Sequence, residues 1–177
     1  STRPRGLRAI CLRKLGRTDE AAREIEAARR IDAQDPFLHI EAMILAAGGP
    51  ATAAFPKRSV KALLAQVRDD EAPLLEAAFD YFGLRLWEET DAALGIVPSP
   101  GPLATLTRAF AADRLSRKSA ARKLLQRALE QDPMGHQPWH LEMVPILEWA
   151  RDEMPRHPRP RFFLGSLLMA RRRTEEG

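Results

Sequence analysis

The chain has 177 residues, 45% of them hydrophobic and 29% charged, with a net charge of +4 and a single cysteine. That length suits one domain with a continuous core. No apolar run reaches the roughly 18 residues of a bilayer span, no signal-like apolar run follows the Arg-rich N-terminus, and one cysteine excludes an internal disulfide or a Cys-based zinc site.

Ala and Leu outnumber β-branched residues, which favours helix over strand. Ten helices in five pairs are expected. The first pair covers roughly 4–15 and 18–33. Cys11 lies among Leu7, Ile10 and Leu15 and is expected to be a buried thiol; the cysteine usage fits the cytoplasm. Asp35-Pro36 starts the third helix as N-cap and first helical residue. That helix stops at Gly48-Gly49-Pro50, and 48–57 is a longer loop. A helix over about 58–69 follows, with Val60, Leu63, Leu64 and Val67 on one face.

The fifth helix, about 72–84, carries Leu75, Ala78, Phe79 and Phe82 along one stripe, and Trp87-Glu88-Glu89 opens the sixth. Prolines 98, 100 and 102 mark a break before the seventh, about 102–114. The eighth, 117–131, repeats Ala121, Leu124, Leu125, Ala128 and Leu129 at the spacing of a one-sided buried helix. The ninth is expected from about Pro138 to Met154, with a kink or a late start at Pro145. The tenth starts near Pro160 and reaches a turn at Arg171–Thr174.

The chain repeats itself. Ala9, Leu15, Arg17, Ala21, Ala28 and Asp32 return a hundred residues later as Ala109, Leu115, Arg117, Ala121, Ala128 and Asp132. That offset is close to three periods of roughly 34 residues. Arg171-Arg172-Arg173-Thr174-Glu175-Glu176 echoes Leu15-Gly16-Arg17-Thr18-Asp19-Glu20. Small residues are wanted where two helices cross, because axes about 8–10 Å apart leave no room for large side chains.

These residues resemble the tetratricopeptide repeat (TPR). The matching positions are Ala9, Leu12, Gly16, Ala21, Ile25 and Ala28, then Ala109, Ala112, Ser116, Ala121, Leu125, Ala128 and Pro133, then Leu164-Gly165, Leu168 and Arg172. Ala78, Tyr81 and Leu94 fit a third unit, where Thr90 stands in the small-residue position. The resemblance implies an all-α, TPR-like right-handed superhelix of about five helix pairs. The units run roughly 4–33, 36–70, 72–97, 102–133 and 138–177, the last incomplete, in a single domain over 1–177.

A narrower resemblance rests on Leu84-Arg85-Leu86-Trp87-Glu88-Glu89, Leu141-Glu142-Met143-Val144-Pro145-Ile146-Leu147-Glu148 and Phe163-Leu164-Gly165-Ser166-Leu167-Leu168. This stretch looks like the C-terminal repeat region of large bacterial proteins with an N-terminal mutarotase-like β domain of unknown function. It implies a piece of a longer, carbohydrate-linked protein.

The candidate chemistry is thin. His136 and His140 are four apart, but Pro138 lies between them and no third ligand is evident, so no metal is expected. Asp69-Asp70-Glu71 and Glu88-Glu89-Asp91 fit helix starts, where acids favour the dipole. The basic–acidic–basic layout argues against one uniform nucleic-acid face. No phosphate loop, nucleophile elbow or Cys–His pair is present, and no cofactor or enzymatic activity is expected.

The expected function is therefore a non-catalytic protein-interaction scaffold. RNA binding, or an accessory role in a carbohydrate-active enzyme, stands as the alternative. The resemblance implies that the first helices line the partner groove, which points to Arg13, Lys14, Phe110, Asp113, Arg114, Phe162 and Met169 for a protein or peptide partner. Gly177 stands where a further packed helix would begin, so the chain is expected to continue into further repeats.

Overall fold

The structure, a computed structural model, describes residues 2–175, with side chains through residue 171. Among these residues every regular element is helical: α1 Arg3–Lys14, α2 Thr18–Arg29, α3 Pro36–Ala46, α4 Lys57–Gln66, α5 Ala72–Gly83, α6 Trp87–Gly95, α7 Pro102–Arg114, α8 Lys118–Glu130, α9 Met143–Glu153 and α10 Pro158–Glu175. A 3-10 turn, Thr52–Ala54, interrupts the loop before α4.

Several helices end in the same way. At Gly16, Gly48, Arg85 and Ser116 the backbone turns left-handed, with φ of 74, 70, 58 and 60°. The residue after each closes a six-residue ring: Arg17 N to Leu12 O at 2.9 Å, Gly49 N to Ile44 O at 3.0 Å, Leu86 N to Tyr81 O at 3.0 Å and Arg117 N to Ala112 O at 2.9 Å. This Schellman closure satisfies carbonyls that a helix end otherwise strands. α4 closes alike, with Arg68 at φ 55° and Asp69 N bound to Leu64 O at 3.0 Å, so the turn is not confined to one spacing. After three of these turns the next helix starts at once. Arg17, Leu86 and Arg117 accept from Ala21, Thr90 and Ala121 at 3.0, 2.9 and 2.9 Å.

The crossing positions are sealed in all three hairpins: Ala9, Ala78 and Ala109 are wholly buried, as are Thr90 and, within 1%, Ala21 and Ala121. Thr90 is the residue that departs from the small-residue pattern. Its hydroxyl donates to the Leu86 carbonyl four residues back at 2.9 Å, so a buried polar atom is satisfied within its own helix.

Helices pack in chain order. α1 pairs with α2, α5 with α6, α7 with α8 and α9 with α10. The second helices α2 and α6 lie against the next first helix, α3 and α7, and first helices also meet along α1–α3–α5 and α7–α9. α7 is enclosed by α6, α8 and α9 and buries Leu103, Leu106, Ala109 and Phe110. Arg159 of α10 donates to the carbonyls of Leu129 and Gln131, putting a cation at the negative end of α8.

Four expectations change. α9 takes the late start, at Met143 rather than Pro138; Pro145 falls in its first turn, where a missing N–H costs nothing. α10 runs on through Glu175, so no turn interrupts Arg171–Thr174; Glu176 and Gly177 lie outside the described residues. α2 ends at Arg29 and α4 at Gln66, both short of the expected 33 and 69. Cys11 is exposed, because Ala9, Ile10 and Leu12 are the residues α1 turns inward.

Candidate functional site

The expected partner-facing residues fall into three separate places. The first is a buried ion cluster. α1 presents Arg13 and Lys14, α3 presents Glu41, α5 Tyr81 and α6 Glu89. Arg13 Nε donates to Glu41 Oε1 at 2.6 Å and its Nη2 reaches Glu41 Oε2 at 3.3 Å. The same Nη2 meets Glu89 Oε1 at 3.2 Å, and Lys14 Nζ meets that oxygen at 2.5 Å. Tyr81 OH donates to Glu41 Oε2 at 2.9 Å.

Glu41 is fully buried and the Arg13 side chain is 10% exposed. Burial pushes the Glu41 carboxyl above its ordinary range, opposed by the Arg13 and Tyr81 hydrogen bonds. Burial also opposes the charged Arg13, but Glu41 and Glu89 outweigh it and hold the guanidinium above its usual value. The Tyr81 hydroxyl is pushed well above its usual range by burial and by the charge of Glu41. Arg13 thus spends its donors inside the protein, joining α1 to α3 and α6. Only Lys14, with a side chain 45% exposed, keeps a solvent face.

The second place is aromatic. Phe110 of α7 meets Phe82, Trp87 and Trp149 at centroid distances of 5.6, 5.8 and 5.6 Å. The Arg114 guanidinium sits 4.4 Å over the Phe110 ring, a cation–π contact one helical turn away. Phe110 is therefore buried, at 3% exposure. Asp113 is held by Lys118 Nζ at 2.6 Å. Trp87 and Trp149 do serve packing between units; the Trp149 Nε1 is buried with no hydrogen-bond partner.

The third place is open. Phe162 and Met169, seven apart on α10, are 62% and 59% exposed. Phe162 and Ser166 line a groove of about 360 Å³ with Pro133, Met134, Gly135, His136, Gln137 and Pro138. Met134 is 80% exposed, and Trp139, Leu141 and Leu168 are exposed nearby in the chain. The 133–138 segment is shaped by Asp132, whose Oδ1 accepts from Met134 N at 2.9 Å, and by Gly135 at φ 79°. Arg171 Nη2 donates to the Trp139 carbonyl at 2.9 Å, tying this loop to α10.

His136 and His140 both precede α9 and face different partners. His136 Nδ1 lies 3.6 Å from Glu71, which also accepts from Gly101 N at 2.6 Å. His140 packs on Phe79 and Trp139 at 4.7 and 3.7 Å, and burial lowers its pKa. No group of three potential metal ligands occurs among the described residues. Asp70 takes the expected capping role, accepting from Ala72 N at 3.0 Å. Glu89 does not: it is drawn into the ion cluster. No helix among the described residues is long and apolar enough to cross a membrane.

Glu41 and Met134 escaped the sequence reading, and Tyr81 entered it only as a packing position. One signal was available: Glu41 is the only acid in the Phe37–Ala46 run, which is apolar apart from it and His39, and a buried acid needs a buried cation. No protein-family model, curated protein or solved structure matches this chain.

Proposed function

We propose that this chain is a TPR-type helical-repeat module that holds a protein segment in the groove between α10 and the 133–138 loop. The observation behind this reading is the run of exposed apolar side chains at this end of the molecule. Met134, Trp139, Leu141, Phe162, Leu168 and Met169 are all exposed; the other exposed large apolar side chains among the described residues, Leu7, Leu15, Ile31 and Leu84, lie in the earlier helices and loops. Exposed aromatic and Met side chains at a concave, preformed surface are the composition of an interface centre. The turns at Gly16, Arg85 and Ser116, each followed at once by the next helix, support the repeat assignment. The role is non-catalytic, and the narrower resemblance adds that the module belongs to a longer bacterial protein.

Selection of peptides from a display library against the wild-type chain tests the reading. The expected result is that recovered peptides lose at least tenfold in affinity on Phe162→Asp or Met134→Asp and keep it on Arg13→Lys. Peptides that bind both groove variants as well as wild type would defeat it.

RNA binding keeps one supporting observation. Arg122, Lys123 and Arg127 are exposed on α8 and have no ion-pair partner among the described residues. A salt titration of a fluorescent RNA decides this: sub-micromolar binding at about 150 mM salt with a steep salt slope would revive it.

A further inference from the structure

The α3–α4 pair is where the packing opens. α4 buries only Leu63 outright, while Val60 and Leu64 remain half-buried. The segment before it leans on α6 instead. Thr52 Oγ1 donates to the Ala92 carbonyl at 3.3 Å, and a Cβ on Gly95 would meet that hydroxyl at 2.8 Å. A side chain at residue 95 would therefore displace the Thr52 side chain from its present position against α6. Between this turn, α4 and the end of α6 lies a groove of about 580 Å³, larger than the one beside α10. Phe55, Val60, Leu64 and Ile96 give it apolar walls; Lys57 and Lys61 stand toward one end of α4 and Asp69 beyond the other.

The charges are unbalanced. Lys57, Arg58 and Lys61 occupy the first half of α4, with no acid in its first turn. A helix N-terminus disfavours cations, and Pro56 offers no side-chain cap. None of the three cations has an ion-pair partner among the described residues, and all are exposed. An apolar groove with unpaired cations at one end and a carboxylate at the other is complementary to one kind of helix.

We propose that this groove docks an acidic amphipathic helix of a partner protein. Apolar side chains at i, i+3 and i+7 fill the space along Val60, Leu64 and Ile96, carboxylates meet Lys57 and Lys61, and a cation faces Asp69. A helix of about 14 residues, roughly 21 Å long, presents two apolar turns on one face with room for acids at one end. The site is separate from the α10 groove and stands independently of it.

The test is selection of a display library of 14-residue helix-biased peptides, followed by fluorescence anisotropy of the best binder. Enriched sequences are expected to carry an apolar stripe with Asp or Glu at one end. Binding should fall at least tenfold on the surface double variant K57E/K61E, and on Val60→Asp. It should return when the peptide's acids are changed to Lys against K57E/K61E. Phe162→Asp should leave it unchanged. The proposal is overturned by no enrichment, by enriched peptides without an acidic bias, or by equal binding to K57E/K61E. Loss of binding on Phe162→Asp alone would move the peptide to α10 and overturn it too. A wild-type dimer in sedimentation that K57E/K61E converts to monomer would give the groove to a second copy and overturn it as well.

Discussion

The hairpins α1–α2 and α7–α8 share one backbone frame and differ in how they hold their neighbours. Their turns superpose residue for residue in dihedral angle: Leu15 and Leu115 at φ −87 and −82°, Arg17 and Arg117 at φ −87 and −86°. Ala9 and Ala109, like Ala28 and Ala128, are wholly buried. Yet the residue just before the helix end is Arg13 in one and Asp113 in the other. Arg13 turns into the protein and binds Glu41 and Glu89 of later units. Asp113 stays within its own hairpin, paired with Lys118. At positions 10 and 110 the contrast is Ile against Phe, and the aromatic ring recruits Phe82, Trp87 and Trp149. The small residues set the hairpin; the variable residues beside them set whether units are joined by charge or by aromatic packing.

Arg13→Met sharpens the contrast most. It strands the buried Glu41 and removes one of two cations on Glu89, and breaking a buried pair costs about 3–5 kcal/mol. Asp113→Asn breaks a pair whose lysine is largely exposed, worth less than about 1 kcal/mol. Urea denaturation of the two variants measures both. Equal losses would show that the two joints are not different in kind.

Tyr81→Phe probes the same joint from α5. A hydrogen bond to a charged group contributes about 1.5–3 kcal/mol, so a loss in that range is expected. The pH dependence separates the groups. Tyr81 has a raised native pKa, so the unfolded chain gives up this proton first, near pH 10.0. Its contribution is present below that pH and is lost as pH rises above it. Tyr81→Phe should flatten that alkaline fall. Glu41 is also raised, so its contribution is full below about the model-peptide value of 4.5 and declines as pH rises through its native pKa. The stability of wild type relative to Glu41→Gln should therefore decrease from pH 4 to pH 7. A flat difference would mean that Glu41 titrates normally.

Arg114→Ala is the aromatic counterpart. It uncovers Phe110 and removes a cation–π contact at a site open to solvent, worth about 0.5–1 kcal/mol. A loss as large as that of Arg13→Met would erase the distinction between a buried and an exposed cation.

Much of the frame was legible because it is local. Asp35-Pro36 does cap α3, with Phe37 N bound to Asp35 Oδ1 at 3.0 Å, and the glycine turn at Gly48 ends it. The apolar spacing marked α4, α5 and α8 because one buried stripe at a period of 3.6 leaves its mark on a half-buried helix. What failed was non-local. The ion cluster joins residues 13, 41, 81 and 89, and nothing in the sequence pairs positions 76 apart. The acids at 88–91 looked like a dipole-favoured helix start, and Glu88 does stay exposed, but Glu89 is turned inward beneath α1. Of the expected partner residues, Phe162 and Met169 remain open, whereas Phe110 is covered by its neighbours. Exposure of an aromatic residue depends on which helices arrive beside it, and no window of sequence contains that.

A last pair of variants, of comparably small effect, tests the shared frame itself. Gly16 and Ser116 hold the same left-handed position, at φ 74 and 60°. A Cβ at Gly16 would meet no atom within 4 Å, so Gly16→Ala changes only the backbone cost. That cost is about 1–2 kcal/mol for a residue with a Cβ, partly offset by the freedom glycine has when unfolded. A net loss of about 1 kcal/mol lowers the melting temperature by about 2–4 °C in a domain of this size. Ser116→Gly should move it by a similar amount in the other direction, since the same strain is relieved there. Two shifts of opposite sign would show that the turns are one device used twice. If Ser116→Gly is neutral or destabilising, the Ser116 hydroxyl or the surrounding turn compensates the strain, and the two hairpins share a shape without sharing its energetics.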